Sequence, residues 1–165
     1  MVLWDFNENK NYVKLHNYKV LNYNDAEKAA KLLFNIDMLI LRSFARLEQD
    51  TTRTNEINIL LNTPYILQEM QLIKDQGTIK FEGLNKPKDV YKSRQPPVGP
   101  DGKLRAKYRC IFLKLRDDTL LKNINDLKPL IAHELTHTAM NHVRWRDDDH
   151  DSEFNYYYNT ILLNL

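Results

Sequence analysis

The five residues His133, Glu134, Leu135, Thr136 and His137 constrain this chain more than any other stretch of it. Residues four apart share one face of an α-helix, so the H-E-x-x-H spacing calls for a helix and aims two imidazoles at one point. Neutral imidazole is a common ligand for zinc, and a zinc site of this kind needs a third protein ligand. The fold must therefore bring a later residue back to this helix.

Four candidates can supply that ligand. His150 opens the last helical pattern, after a spacer long enough for the chain to reverse. His142 follows His137 so closely that the chain would have to leave the helix and turn back at once, with no glycine to ease the turn. Glu153 lies one helical turn past His150, where it could ligate or orient a histidine from outside. Asp147, Asp148 and Asp149 read as a hydrated loop, and Asp151 as a helix cap or second-layer acceptor. Trp145 reads as a packing residue over the loop. Of these, His150 is the expected ligand, giving a metal set of His133, His137 and His150 for Zn2+. Glu134 is no ligand on this reading. It takes the proton of a water that the metal acidifies and can return it to a leaving amine.

The surrounding pattern supports a folded frame for that helix. Ala26, Ala29, Ala30, Leu33, Ile36, Ile40, Phe44 and Leu47 recur at helical spacing, which predicts a helix from Asp25 to Glu48, started by Asn24 or Asp25. Leu32, Leu39 and Leu41 widen its apolar face, as for a helix packed on more than one side. A second helical pattern runs from Thr54 to Asp75, with a candidate break at Pro64. Thr78–Glu82 and Val90–Tyr91 read as short strands and "QPPVGPDG" as a loop. Tyr108–Leu115 alternates, with Cys110, Phe112 and Lys114 on one face and Ile111, Leu113 and Leu115 on the other, which predicts a strand. Asn125 or Asp126 can cap the helix that carries the motif, placing Pro129 in its first turn. The chain closes on a helix whose spacing buries Phe154, Tyr157, Tyr158, Ile161 and Leu162. Residues 1–23 read as a short strand or irregular lead-in.

At 165 residues, 42% of them hydrophobic and 28% charged, the expectation is one α+β domain spanning 1–165. The single cysteine, Cys110, excludes an intramolecular disulfide framework and reads as a small buried hydrophobe. The sequence shows no apolar run long enough to cross a bilayer and no secretory signal pattern, so an intracellular, non-secreted protein without membrane contact is expected. The net charge of +2 conceals a gradient. Residues 1–73 carry eight basic and nine acidic side chains, 74–116 carry twelve and four, and 117–165 carry four and nine. The +8 middle segment is a candidate surface for phosphates or an acidic partner.

H-E-x-x-H, a spacer, then H-D-x-x-F at the head of a helix resembles the WLM and SprT-like zincin metallopeptidases, including members encoded by large DNA viruses. The matching residues are His133, Glu134, His137, His150 and Phe154. The resemblance implies a compact zincin-like fold, with helices packed on a small sheet whose edge strand lines the cleft. Tyr108–Leu115 is the strand expected there, able to hold a substrate backbone by strand addition. It also implies a zinc-dependent endopeptidase acting on protein or peptide substrates. Cellular relatives include proteases of DNA–protein crosslinks, which makes DNA a candidate partner of 74–116, and the host cytoplasm, nucleus or virion the expected locations. Those relatives often carry a shorter spacer with a Gly-Pro pair, whereas Asn141–Asp149 is charged and free of glycine. Two alternatives stand beside this reading: an inactive zincin-like structural or interaction protein, and a basic nucleic-acid-binding protein with a structural metal.

Overall fold

A computed structural model describes residues 11–71, 82–88, 106–142 and 151–165. The polar lead-in contains a tight hairpin of β1 (Tyr12–Leu15) and β2 (Tyr18–Leu21), with Leu15 opposite Tyr18. His16 and Asn17 form its turn at φ 51° and 70°. Left-handed geometry at both positions matches the twist of the flanking strands, and Asn and His tolerate it better than most residues.

The long helix follows as its spacing predicts. α1 (Ala26–Glu48) buries Ala26, Ala29, Ala30, Leu33, Ile36, Ile40 and Leu47. Leu32 and Leu39 pack partly against the same core, while Leu41 is half exposed, so the apolar face is narrower than expected. Ser43 is fully buried and its hydroxyl donates to the Ile40 carbonyl at 2.7 Å, which satisfies it.

The helix expected from Thr54 to Asp75 is a helix followed by a strand. α2 (Asn55–Asn62) is capped by Thr54, whose side chain accepts from the Ile57 amide. Pro64 excludes helical geometry from Thr63, which is extended at φ −101°, ψ 114°. The chain continues as β3 (Tyr65–Glu69). Tyr-Ile-Leu suits a strand as well as a helix, and parallel pairing with a later strand decides the matter.

That later strand is β5 (Tyr108–Leu113), which pairs with β3 on one side and antiparallel with β4 (Gly83–Lys88) on the other. The sheet order is β1-β2-β3-β5-β4. The expected alternation along β5 holds. Ile111, Leu113 and the following Leu115 join the main core under the helices, while Cys110 and Phe112 meet Met70 and Leu84 on the opposite face. Its predicted place at the sheet edge does not hold: a strand apolar on both faces is an interior strand, and among the described residues β4 lies at the edge.

The ladder bonds along β4 alternate from its first residue onward. The Lys114 amide donates to the Glu82 carbonyl at 2.9 Å, so Leu84, Lys86 and Lys88 also turn their backbone groups toward β5. Gly83, Asn85 and Pro87 turn theirs outward. Proline, lacking an N–H, is tolerated on the open side of an edge strand.

After a two-residue hairpin of β6 (Arg116–Asp117) and β7 (Leu120–Leu121) comes α3 (Ile124–Ala139). It starts at Asn123, whose side chain accepts from the Asn125 amide, earlier than the expected caps. Pro129 therefore falls in the second turn, not the first. α3 packs on β4 and β5, and is flanked by α2 and by the final helix, α4 (Ser152–Asn164). Residues 1–10, most of Thr78–Glu82, Val90–Tyr91, "QPPVGPDG", Trp145, Asp147–Asp149 and His150 lie outside the described residues.

Candidate metal centre

Sheet, α2 and α4 enclose the second half of α3, so every residue from Glu134 to Ala139 is buried. His133 is half-buried at the border of this enclosed stretch. The Nε2 atoms of His133 and His137 lie 3.2 Å apart. Two nitrogens bound to one tetrahedral zinc, each at about 2.0–2.1 Å, are separated by about 3.3 Å. His133, Glu134 and His137 are the one group of potential ligands that converges among the described residues. The donor chemistry and spacing therefore fit zinc.

Glu134 is 3% exposed and faces the edge strand. A Cβ on Gly83 would stand 2.8 Å from the Glu134 Oε2 and 2.7 Å from the Leu130 Cδ1. Glycine at this point of β4 is what lets the carboxylate lie against the strand. Outside it opens a cleft of about 720 Å³, lined by Gly83, Leu130, His133, Glu134, Phe154 and Tyr158 among others.

The end of α3 places His142 where the sequence reading did not. Asn141 takes the left-handed conformation at φ 55°. Its amide donates to the Thr138 carbonyl at 3.0 Å, and the His142 amide donates to the His137 carbonyl at 3.1 Å. This pair of bonds closes a helix over a left-handed residue, a task asparagine performs when glycine is absent. The sharp turn thus happens, and it brings His142 to the far side of the His137 ring. The Nδ1 atoms of the two histidines are 2.9 Å apart, so His142 meets the nitrogen of His137 that points away from His133.

Phe154 supplies the lid of this cluster. Its ring centroid is 5.3 Å from His133, 5.0 Å from His137 and 6.1 Å from His142, nearly parallel to the last at 8°. The start of α4 is therefore folded back onto the motif helix. Asp151 caps α4 by accepting from the Phe154 amide at 2.9 Å, as expected of it. Glu153 is exposed and does not join the converging group. The expected ligand, His150, is the residue before that cap and lies outside the described residues.

Asn85 and Arg109 carry a polar network that the sequence did not reveal. The Asn85 amide donates to the Glu134 carbonyl at 2.6 Å and to the Thr138 hydroxyl at 2.7 Å. Arg109 donates through Nη1 to the Asn85 Oδ1 at 3.2 Å and to the His142 carbonyl at 2.9 Å. The only sequence signal was a polar residue at an inward position of each strand. Arg109 and Arg116 are both buried, so two cations of the basic segment lie inside the protein. Lys114 is 3.6 Å from Glu82, in an ion pair.

No family model and no curated protein matches this chain. Among solved structures, it is similar to a crystal structure of a Wss1 mutant from S. pombe, at 20% identity and a TM-score of 0.43. The match covers 88% of this chain and 92% of that one. At those values the likeness decides neither family nor activity. Among the described residues, no helix is long and apolar enough to cross a membrane.

Proposed function

We propose that this chain is a zinc-dependent endopeptidase. The observation that carries the reading is the convergence of His133, His137 and the buried Glu134 on one side of an open cleft, beside a strand edge. His133 and His137 would hold zinc through Nε2, with His150 as the third protein ligand. A zinc ion so held supplies Lewis acidity, which acidifies a water and polarises a carbonyl.

The chain's own residues do the rest. Glu134 takes a proton at its carboxylate as the water attacks, and gives it to the amine that leaves. The Asn85 bond to the Glu134 carbonyl and the missing side chain at Gly83 fix where that carboxylate stands. The outward groups of Gly83 and Asn85 can pair with an extended backbone, which supports a substrate lying along β4. Phe154 packs its ring against both imidazoles and so supports their orientation.

Metal analysis and peptide hydrolysis test the reading together. Purified protein should carry about one zinc per chain. Glu134→Gln should keep that metal and lose at least about 100-fold in turnover. His150→Ala should lose the metal. Zinc-free wild-type protein, or normal cleavage by Glu134→Gln, would defeat the proposal.

A further inference from the structure

The turn that ends α3 joins two events that are usually separate. In helix ends closed over a left-handed residue, an apolar contact commonly links the second residue past the cap to a residue in the last turn. Here those positions are His142 and His137, and the contact is a hydrogen bond between imidazoles, 2.9 Å from Nδ1 to Nδ1. A histidine that binds metal through one nitrogen donates the proton on the other to a fixed acceptor, which sets its tautomer and ring angle.

We infer that His142 is the positioning residue of this centre. Its Nδ1 accepts the Nδ1 proton of His137 and so leaves the Nε2 lone pair of His137 directed toward His133 and the ion. The inference rests on the zinc reading above and adds to it the group that orients the second ligand. Three features hold His142 in that role. Asn141 at φ 55° delivers it to the ring, and Arg109 grips its carbonyl at 2.9 Å. Phe154 stacks on its imidazole at 8° between planes. Arg109 also holds Asn85, which reaches the Glu134 carbonyl, so one buried cation steadies the settings of both the ligand and the base.

Two substitutions separate positioning from packing. His142→Phe keeps a flat ring against Phe154 and removes the acceptor, while His142→Asn restores an acceptor oxygen where Nδ1 stood. Zinc affinity, read by chelator competition, should fall about ten- to a hundredfold in His142→Phe. In His142→Asn it should stay within about threefold of the wild type. With cobalt in place of zinc, all three proteins should give the same visible absorption bands, because the ligand set is unchanged. Equal zinc affinity in His142→Phe and the wild type overturns the inference. So does a cobalt spectrum that changes in both variants, since His142 would then be a ligand itself. The imidazole nitrogen NMR spectrum of metal-free protein reads the same point without any metal. His137 should carry its proton on Nδ1 in the wild type and distribute it between both nitrogens in His142→Phe. A chain that takes up no zinc but shows this spectrum defeats the peptidase reading and upholds the His142 bond; a mixed tautomer in the wild type overturns the latter.

Discussion

Arg109 and Arg116 leave the same stretch of chain and are both buried, at 1% and 4% exposure, yet their surroundings are opposite. Arg116 donates from Nε to the Glu69 Oε2 at 2.7 Å and from Nη1 to both oxygens of Asp25, at 2.6 and 2.7 Å. Its guanidinium lies 4.8 Å from the centre of the Tyr23 ring. Burial works to lower its pKa, but the two carboxylates outweigh burial and raise it. Among the described residues Arg109 meets neutral oxygens, those of Asn85 and His142, and burial pulls its pKa down to about 10. It remains a cation at neutral pH. Arg116 ties the start of α1 and β3 to the β6–β7 hairpin, in an ion cluster with Asp25 and Glu69. Arg109, with no carboxylate beside it among the described residues, holds the Asn85 side chain and the His142 backbone next to the motif. Two cations with the same sequence signal thus do different work, one in stability and one in placement.

Substitution should expose the difference. Arg116→Leu leaves Glu69, 1% exposed, without its counter-charge, and the loss of one partner from a buried pair costs about 3–5 kcal/mol. Urea denaturation should show that loss, with zinc content per folded molecule unchanged. Arg109→Met removes the guanidinium donor to the Asn85 Oδ1 and the His142 carbonyl but also removes a buried charge, for a net cost of about 1 kcal/mol. Its larger effect should be on zinc, with affinity down about tenfold as His142 loses its grip. A denaturation loss equal to that of Arg116→Leu would break the comparison. The smallest effect on stability is expected at the edge strand. In Gly83→Ala the new methyl meets the movable ends of Leu130 and Glu134, so stability should shift by less than about 1 kcal/mol. Turnover should drop about tenfold because the carboxylate must move aside, with zinc retained.

What the sequence made legible follows the range of the forces involved. α1, the alternation along β5, the cap at Asp151 and the convergence of His133, Glu134 and His137 all come from short-range periodicity. β3 was hidden because Tyr65–Glu69 suits helix and strand alike, and its pairing partner is far away in sequence. The edge position passed from β5 to β4 for the same reason: strand order is a tertiary fact, although Pro87 was a clue. Asn85 and Arg109 were illegible because a lone polar residue in a strand has no spacing to mark it. The turn at Asn141 carries no glycine to mark it, because asparagine also enters the left-handed region.

Pro87 has a further consequence. An unpaired sheet edge is a template on which a second copy of the same chain can grow, the route by which many folded proteins begin to aggregate. Among the described residues β4 has no neighbour on its outer side, yet its row of outward donors stops at Asn85, because the next outward position is proline. A guest backbone can zip along Gly83 and Asn85 and then finds no N–H to continue. The edge is thereby open to a short visitor and closed to an endless one. On the proposed reading, that same limit would keep a substrate's pairing short at the strand beside Glu134.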